Sequence, residues 1–296
     1  MNNVTPDNIQ EMNITPTLRP LADLNLLDDF LMNKISSSPE VGEPFLKEIL
    51  NIILKVNLQK VSIVPQKVYY GITPQMHGTR IDVYVEGKPD NQEEGSIYDI
   101  EPENAVNKKS ELPQRVRFYH AKIDMGCLKA GDSYKYLKQV YVIVISSFDP
   151  FDRNRMVYTI RNQCVEAPEL PYDDGATTIF LYTQGTEGNP PKDLAELLHY
   201  MEDTRLQNAT NEQLLNIHKM VAQVKSNKEV SIEYMKIAER EEMIREEAIE
   251  KERLNTERER KRAEQADKRA IQETLRADSA EEEIRRLKEE LKLYKQ

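Results

Sequence analysis

Two short acidic segments carry the side chains best suited to chemistry. Residues 80–87 (RIDVYVEG) alternate between apolar and polar residues, and residues 96–103 (SIYDIEPE) are predicted as a second strand. The turn-forming residues between them (KPDNQEEG) predict a hairpin. Strand alternation places Asp99, Glu101 and Glu103 on one face, and a symmetric hairpin places Asp82 opposite residue 100 or 101.

If Asp82 lies opposite Glu101, the two carboxylates project together from neighbouring strands. Adjacent carboxylates repel each other unless a cation lies between them. A hard ion such as Mg²⁺ (or Mn²⁺) binds through one or two carboxylates together with water and substrate phosphates, and it acidifies a bound water for attack on phosphorus. Composition alone favours a simpler interpretation, in which these acids decorate a solvated strand face.

The surrounding segments predict one mixed α/β domain. Apolar spacing predicts helices from Leu24 and over about 43–54, and a third helix that Pro113 opens and Gly131 closes. The apolar run at 140–146 predicts a strand buried on both faces. Further strands are predicted over 61–71, 156–160 and 177–183, and capping-box signatures at Asp193 with Glu196 and at Thr210 with Gln213 predict two more helices. The predicted fold is α/β, with a mixed central sheet flanked by helices.

The chain is expected to contain four regions. These are a flexible N-terminal arm (1–22), the α/β domain (23–205), a helical connector (206–230) and a charged helical tail (231–296). A heptad places Ala263, Ala270, Ala277, Ile284 and Leu291 in one seam and Ala266, Glu273, Ala280, Leu287 and Tyr294 in the other. The tail is therefore predicted to form a coiled coil, strongest at 263–294, that makes the protein a homo-oligomer. A solitary helix held by intrahelical ion pairs is the alternative.

Composition limits the remaining possibilities. The net charge of −10 argues against indiscriminate attraction to nucleic acid, although a basic groove can exist on an acidic body. No secretory signal or membrane segment is predicted, and Cys127 and Cys164 are expected to be free thiols, so a cytoplasmic protein is expected. Neither a GxxxxGK phosphate loop nor a GxSxG elbow occurs, which argues against a nucleotide hydrolase or a serine esterase.

The order of several motifs resembles a known family. The segments GTRIDVYVEG, GSIYDIEPEN and ELPQRVRFYHAKIDMG, followed by YVIVISSFDPF, resemble the bacterial PD-(D/E)XK nuclease family transposases, also called recombination-promoting nucleases (Rpn). The similarity runs from about Leu24 to Tyr200, and the long charged helix at the C-terminus also fits. It implies a restriction-endonuclease-like fold and a metal-dependent DNA endonuclease.

Residue by residue, Asp82 matches the first metal-binding aspartate of this family and Glu101 matches the acidic residue of the (D/E)XK element. Glu103 occupies the position of the usual Lys or Gln, where it would serve as an additional ligand or base or mark a decayed site. The helix that follows borders the active site in the family, so Arg115, Arg117 and Lys122 are predicted to contact DNA phosphates.

Two hypotheses follow for the function. The first is a Mg²⁺-dependent endodeoxyribonuclease in which Asp82, Glu101 and Glu103 are catalytic and the first two hold the metal. The second is a catalytically degenerate nuclease fold that acts as a DNA- or protein-interaction module and oligomerises through its coiled coil.

Overall fold

The computed structural model describes residues 19–69, 79–90 and 95–293, and for residues 64–69, 79–82, 289 and 291–293 it describes the backbone only. The chain divides into two compact units, Met1–Tyr234 and Met235–Gln296. Most of the predicted arm and the tip of the predicted hairpin lie outside the described residues.

A six-stranded mixed sheet forms the centre of the first unit, in the order β1-β2-β3-β4-β6-β5. The two hairpin pairs β1–β2 and β2–β3 are antiparallel, β3–β4 and β4–β6 are parallel, and the edge strand β5 runs antiparallel to β6. The strands are β1 (Leu58–Tyr69), β2 (Thr79–Pro89), β3 (Ser96–Glu103), β4 (Val140–Ser146), β5 (Val157–Ile160) and β6 (Ala176–Tyr182). The helices are α1 (Asp29–Ser36), α2 (Gly42–Leu54), α3 (Leu112–Cys127), α4 (Lys192–Glu202), α5 (Glu212–Lys225) and α6 (Lys228–Leu293).

Helices cover both faces of the sheet, which confirms the predicted fold class. Strand β4 contributes Val140, Val142 and Val144 to one apolar cluster, and Ile143 and Ile145 to the cluster on the opposite face. This division explains its continuous apolar sequence, because neither face of a central parallel strand reaches water.

The two faces are covered unequally. Residues of α1, α2, α4 and α5 join the larger cluster. On the other face, α3 packs against the sheet through Leu112, Val116, Tyr119 and Ile123. The acidic side of β3 faces α3. Ile97, which alternation places on the same side as the acids, belongs to the apolar cluster of α3, whereas Tyr98 and Ile100 belong to the larger cluster on the opposite face.

Helix ends differ from the capping predictions. The N-cap of α4 is Pro191, and Asp193 instead forms an ion pair with Lys55. The N-cap of α5 is Asn211, whose side chain accepts a hydrogen bond from the Leu214 backbone N–H at 2.9 Å, and not Thr210. Asparagine is the stronger N-cap, which accounts for the shift by one residue. Helix α3 ends at Cys127, before the predicted stop at Gly131.

The predicted connector is part of the first unit. Helix α5 buries Leu214, Ile217, Val221 and Val224 in the larger apolar cluster, so its packing places residues 206–225 in the body of the domain. The tail itself is a continuous 66-residue helix, as predicted. Among the described residues no helix is long and apolar enough to cross a membrane.

Candidate active site

Three buried carboxylates line one side of β3. Asp99, Glu101 and Glu103 are 0%, 4% and 7% exposed, and strand alternation directs all three toward the α3 side. The interpretation of these acids as decoration of a solvated face is therefore wrong. Burial of a carboxylate is costly unless hydrogen bonds or cations compensate for lost hydration. These three acids therefore require such partners in the folded protein.

The hairpin register brings position 82 beside this row. Val83 pairs with Ile100 and Tyr84 with Asp99, so extension of the same register by one residue places position 82 opposite Glu101. This is the second of the two registers that the sequence allowed. The backbone of Asp82 lies in β2, whereas its side chain lies outside the described part.

Glu103 is held by two partners. One carboxylate oxygen accepts a hydrogen bond from the Ala105 backbone N–H at 2.7 Å, and the other forms an ion pair with the Arg115 guanidinium of α3. Burial alone would lower the pKa of Arg115, but the hydrogen bond and charge of Glu103, aided by the charge of Glu101, raise it above its usual value. Arg115 is therefore protonated and places a positive charge close to two of the buried acids, Glu101 and Glu103.

The three predicted phosphate contacts occupy different surroundings. Arg115 contacts the acidic row through Glu103. Lys122 is 6% exposed, and its ammonium lies 5.2 Å from the centre of the Phe118 ring. Arg117 is exposed and lines a cavity over β5 and β6, so the structure does not bring it together with Arg115.

The loop after β4 is organised by one aspartate. Asp149 accepts hydrogen bonds from the backbone N–H groups of Phe151 and Asn154 and, at 2.8 Å, from the Tyr158 hydroxyl. Burial opposes ionisation, but these hydrogen bonds outweigh it and lower the pKa of Asp149. The SFDPF motif thus fixes the loop that carries Asp152, which forms an ion pair with Lys109 just before α3.

A cavity of about 370 Å³ lies between α3 and the β5–β6 edge of the sheet, and sequence reasoning missed it. It combines Arg117 and His120 of α3 with Arg161 and Asn162 beyond β5 and with Thr178 of β6. The Nε2 atom of His120 lies 3.0 Å from the Thr178 hydroxyl oxygen. No local signal identifies the cavity, because its walls come from segments far apart in the chain.

The donor set at the hairpin fits a divalent ion in part. Oxygen donors from Asp82 and Glu101 are of the type that Mg²⁺ and Mn²⁺ prefer. Among the described side chains no group of three or more His, Cys, Asp or Glu is arranged to hold a metal. Asp82 is not among those side chains, so a site completed by it falls outside that search.

Comparison with known proteins agrees with the fold class. Residues 26–169 match the family described as PD-(D/E)XK nuclease family transposase, a range that includes β1–β5, α3 and the acids of β2 and β3. No curated protein and no solved structure matches the chain. Over residues 26–169 this chain is therefore similar to the PD-(D/E)XK nuclease family transposases.

Proposed function

We propose that the domain is a metal-dependent endonuclease that acts on DNA and that Asp82 and Glu101 hold its Mg²⁺ or Mn²⁺ ion. The observation that carries the proposal is the buried row of acids on β3, with position 82 in register beside Glu101. The family that residues 26–169 match, a PD-(D/E)XK nuclease family, supports the same reaction class.

The energetics of burial also favour a cation at this place. Glu101 is 4% exposed and Asp99 is fully buried two residues away on the same side of the strand. Two or more negative charges held this close in a poorly hydrated site are stabilised by a positive counter-charge. A bound divalent ion would supply that charge, and it would also lower the pKa of a coordinated water for attack on a phosphodiester.

Glu103 and Arg115 act together in this proposal. A lysine at position 103 would supply positive charge near the metal in the usual motif, and Glu103 cannot. Glu103 instead anchors Arg115, whose guanidinium is influenced by the charges of both Glu103 and Glu101. We therefore assign Glu103 a positioning role, and Arg115 the role of the local cation that binds a phosphate of the substrate. Lys122 remains a further proposed phosphate contact, whereas Arg117 lines the separate cavity beside α3 and is not assigned to the DNA site.

The test is cleavage of double-stranded DNA with Mg²⁺ or Mn²⁺ by the full chain and its variants. Asp82→Ala and Glu101→Gln should each lower the rate at least about a hundredfold, since each removes a ligand worth several kcal/mol of transition-state stabilisation. The matched control is Glu169→Gln, which neutralises an exposed carboxylate on the loop between β5 and β6. Equal cleavage by wild type and both site variants would refute the proposal.

Calorimetric titration with Mn²⁺ separates metal binding from chemistry. Wild type should bind the ion and Asp82→Ala should not, whereas Glu169→Gln should bind as wild type does. Because substrate phosphates complete many Mg²⁺ sites, the titration is repeated with a phosphorothioate duplex that resists cleavage. Wild-type protein that binds no metal even with the duplex would leave no role for Asp82 and Glu101 as ligands.

The second candidate is a nuclease fold without cleavage that binds DNA or protein. The observation in its favour is that Glu103, at the position of the usual Lys or Gln, already has both oxygens engaged by Ala105 and Arg115. Under this alternative, wild type and Asp82→Ala bind duplex DNA or a partner protein equally and neither cuts DNA. Metal-dependent cleavage by wild type would exclude it.

We also propose that α6 assembles the protein into a homo-oligomer. Ile284 and Leu287 occupy the two predicted seams and are 51% and 48% exposed, while Leu291 and Tyr294 lie outside the described side chains. A charged 66-residue helix gains most from burial of such residues against a second copy. Deletion of residues 263–296 should lower the number of chains per particle, obtained from light scattering as the particle mass divided by the chain mass. An unchanged number of chains would refute assembly through this segment.

A further inference from the structure

The cavity beside α3 is distinct from the acidic row. Helix α3 crosses the sheet with Arg115 directed to the acids of β3, while Arg117 and His120 line the cavity toward β6 and β5. Two residues along an α-helix differ by about 200° around its axis, which explains why Arg115 and Arg117 serve different surfaces. Nothing in the proposed metal site requires this cavity.

Cationic groups from two separate elements converge on the cavity. Arg117 comes from α3 and Arg161 from the segment after β5, and both are exposed. Within the described part of the chain neither guanidinium has a carboxylate within ion-pair distance, unlike Arg115 of the same helix, which is paired with Glu103. Two guanidiniums that line one cavity without an internal counter-ion are suited to a phosphate or carboxylate.

The remaining walls suit a flat ring. Val116, Phe151 and Phe180 provide apolar surface, and the Phe151 and Phe180 rings meet edge to face at 5.0 Å. Asn162 offers an amide group, and its Nδ2 donates to Asp174 at 2.7 Å, which fixes its orientation. A cavity of about 370 Å³ is at the lower end of the range for small-molecule sites.

The nearby carboxylates lie outside the lining of the cavity. Asp174 and Asp124 lie close enough to influence each other, and Asp174 also influences His120, but neither lines the cavity. Asp174 is engaged by Asn162 and by the Ala176 backbone N–H at 3.1 Å. The charged groups that do line the cavity are the two arginines.

We propose that this cavity binds a small ring-bearing phosphate of the nucleoside monophosphate class. The two guanidiniums hold the phosphate, the apolar wall of Val116, Phe151 and Phe180 receives the base, and Asn162 forms hydrogen bonds with the base edge. The site is independent of the proposed nuclease activity, and it binds its ligand without a metal ion.

The experiment is calorimetric titration of the full chain with the four ribonucleoside and four deoxyribonucleoside 5′-monophosphates, in the presence of EDTA. At least one of these nucleotides should bind saturably, with a Kd below about 1 mM. The corresponding nucleoside and inorganic phosphate, tested separately, should each bind at least about tenfold more weakly. Phosphate that binds as well as every nucleotide would overturn the assignment of the ring, and absence of saturable nucleotide binding up to about 10 mM would overturn the site.

Variants locate the binding within the molecule. Arg117→Ala and Arg161→Ala should each weaken binding about tenfold, the effect expected for one charge-assisted contact. Arg153→Ala removes an exposed arginine that does not line the cavity, and Asp82→Ala removes the proposed metal ligand, so both should bind as wild type does. Ile160→Glu places a negative charge at the wall and should abolish binding, whereas Thr159→Glu, one residue away on the other side of β5, should not.

Circular dichroism serves to check that each variant is folded. Arg117, Arg153, Thr159, Ile160 and Arg161 are exposed, so we expect their replacement to leave the fold intact. Unaltered affinity in both arginine variants would show that the nucleotide binds elsewhere and would refute the assignment.

Discussion

The ion pair between Glu103 and Arg115 allows a quantitative test of the site. Replacement of Arg115 with methionine keeps the apolar stem but leaves Glu103 buried without its cation. Loss of one partner from a buried ion pair costs about 3–5 kcal/mol. Here the Arg115 side chain is 26% exposed and Glu103 retains its bond from Ala105, so we expect a smaller cost of about 2–3 kcal/mol in the free energy of unfolding.

A double-mutant cycle isolates the pair from other effects of each change. The proteins are wild type, Arg115→Met, Glu103→Gln and the double variant, and urea unfolding is followed by tyrosine fluorescence. This signal reports the body of the protein, because all of the 14 tyrosines except Tyr294 precede residue 235. We expect Glu103→Gln to cost about 1 kcal/mol, since a partly exposed Arg115 regains hydration, and the coupling energy to be at least about 1.5 kcal/mol.

A second cycle provides the comparison. Glu103 acts on Arg115 through both a hydrogen bond and its charge, whereas Glu101 acts through its charge. Arg115→Met with Glu101→Gln should therefore couple by less than the first cycle. A coupling energy below about 0.5 kcal/mol between Arg115 and Glu103 would refute the buried pair, and with it the proposed positioning role of Glu103.

Three further changes test other parts of the structure. Burial lowers the pKa of His120, although the charge of Asp174 opposes this shift. The folded state therefore takes up a proton less readily than the unfolded state. The free energy of unfolding should consequently fall as the pH drops below about 6.5. His120→Gln should therefore lose less stability than wild type between about pH 7.5 and pH 5.5. The control is His199→Gln, which changes an exposed histidine and should behave as wild type does. Equal shifts of the urea midpoint in all three proteins would contradict the prediction. Gly185→Ala should cost about 2–3 kcal/mol by thermal unfolding, because its Cβ would lie 2.7 Å from the Met156 backbone nitrogen. A cost below about 0.5 kcal/mol, the size of an ordinary surface substitution, would contradict the clash. Leu287→Asp should lower the oligomeric mass without a change in the urea midpoint of the body, whereas Arg285→Asp, outside both predicted seams, should not alter the mass.

The fold was predictable because its main elements have strong local patterns. The predicted strand at 96–103 and the buried strand at 140–146 coincide with β3 and β4. Helix caps were less predictable, because the side chain of a potential capping residue can instead bind a residue that is distant in the sequence. Asp193 illustrates this: it lies 138 residues from Lys55 in the chain, and that ion pair replaces the predicted cap.

The candidate site was predictable only where strand geometry defines it. Alternation placed Asp99, Glu101 and Glu103 on one face, but the sequence allowed two hairpin registers and gave no indication that all three acids are buried. Burial depends on α3, which is separated from β3 in the chain and covers that face through Val116 and Tyr119. Contacts between distant segments also create the cavity, so neither its volume nor its charge could be read from the sequence.

Helix α3 gives the two proposed sites separate roles that experiments can distinguish. Arg115 lies on the side of the acids, and Arg117 lies on the side of the cavity. Since the helix backbone is shared but the side chains point to different surfaces, a change at Arg115 should alter stability and DNA cleavage while nucleotide affinity persists in EDTA. A change at Arg117 should weaken nucleotide binding and leave the Glu103 coupling intact. Parallel loss of both activities in each variant would mean that α3 supports one continuous site, and the division drawn here between the acidic row and the cavity would be wrong.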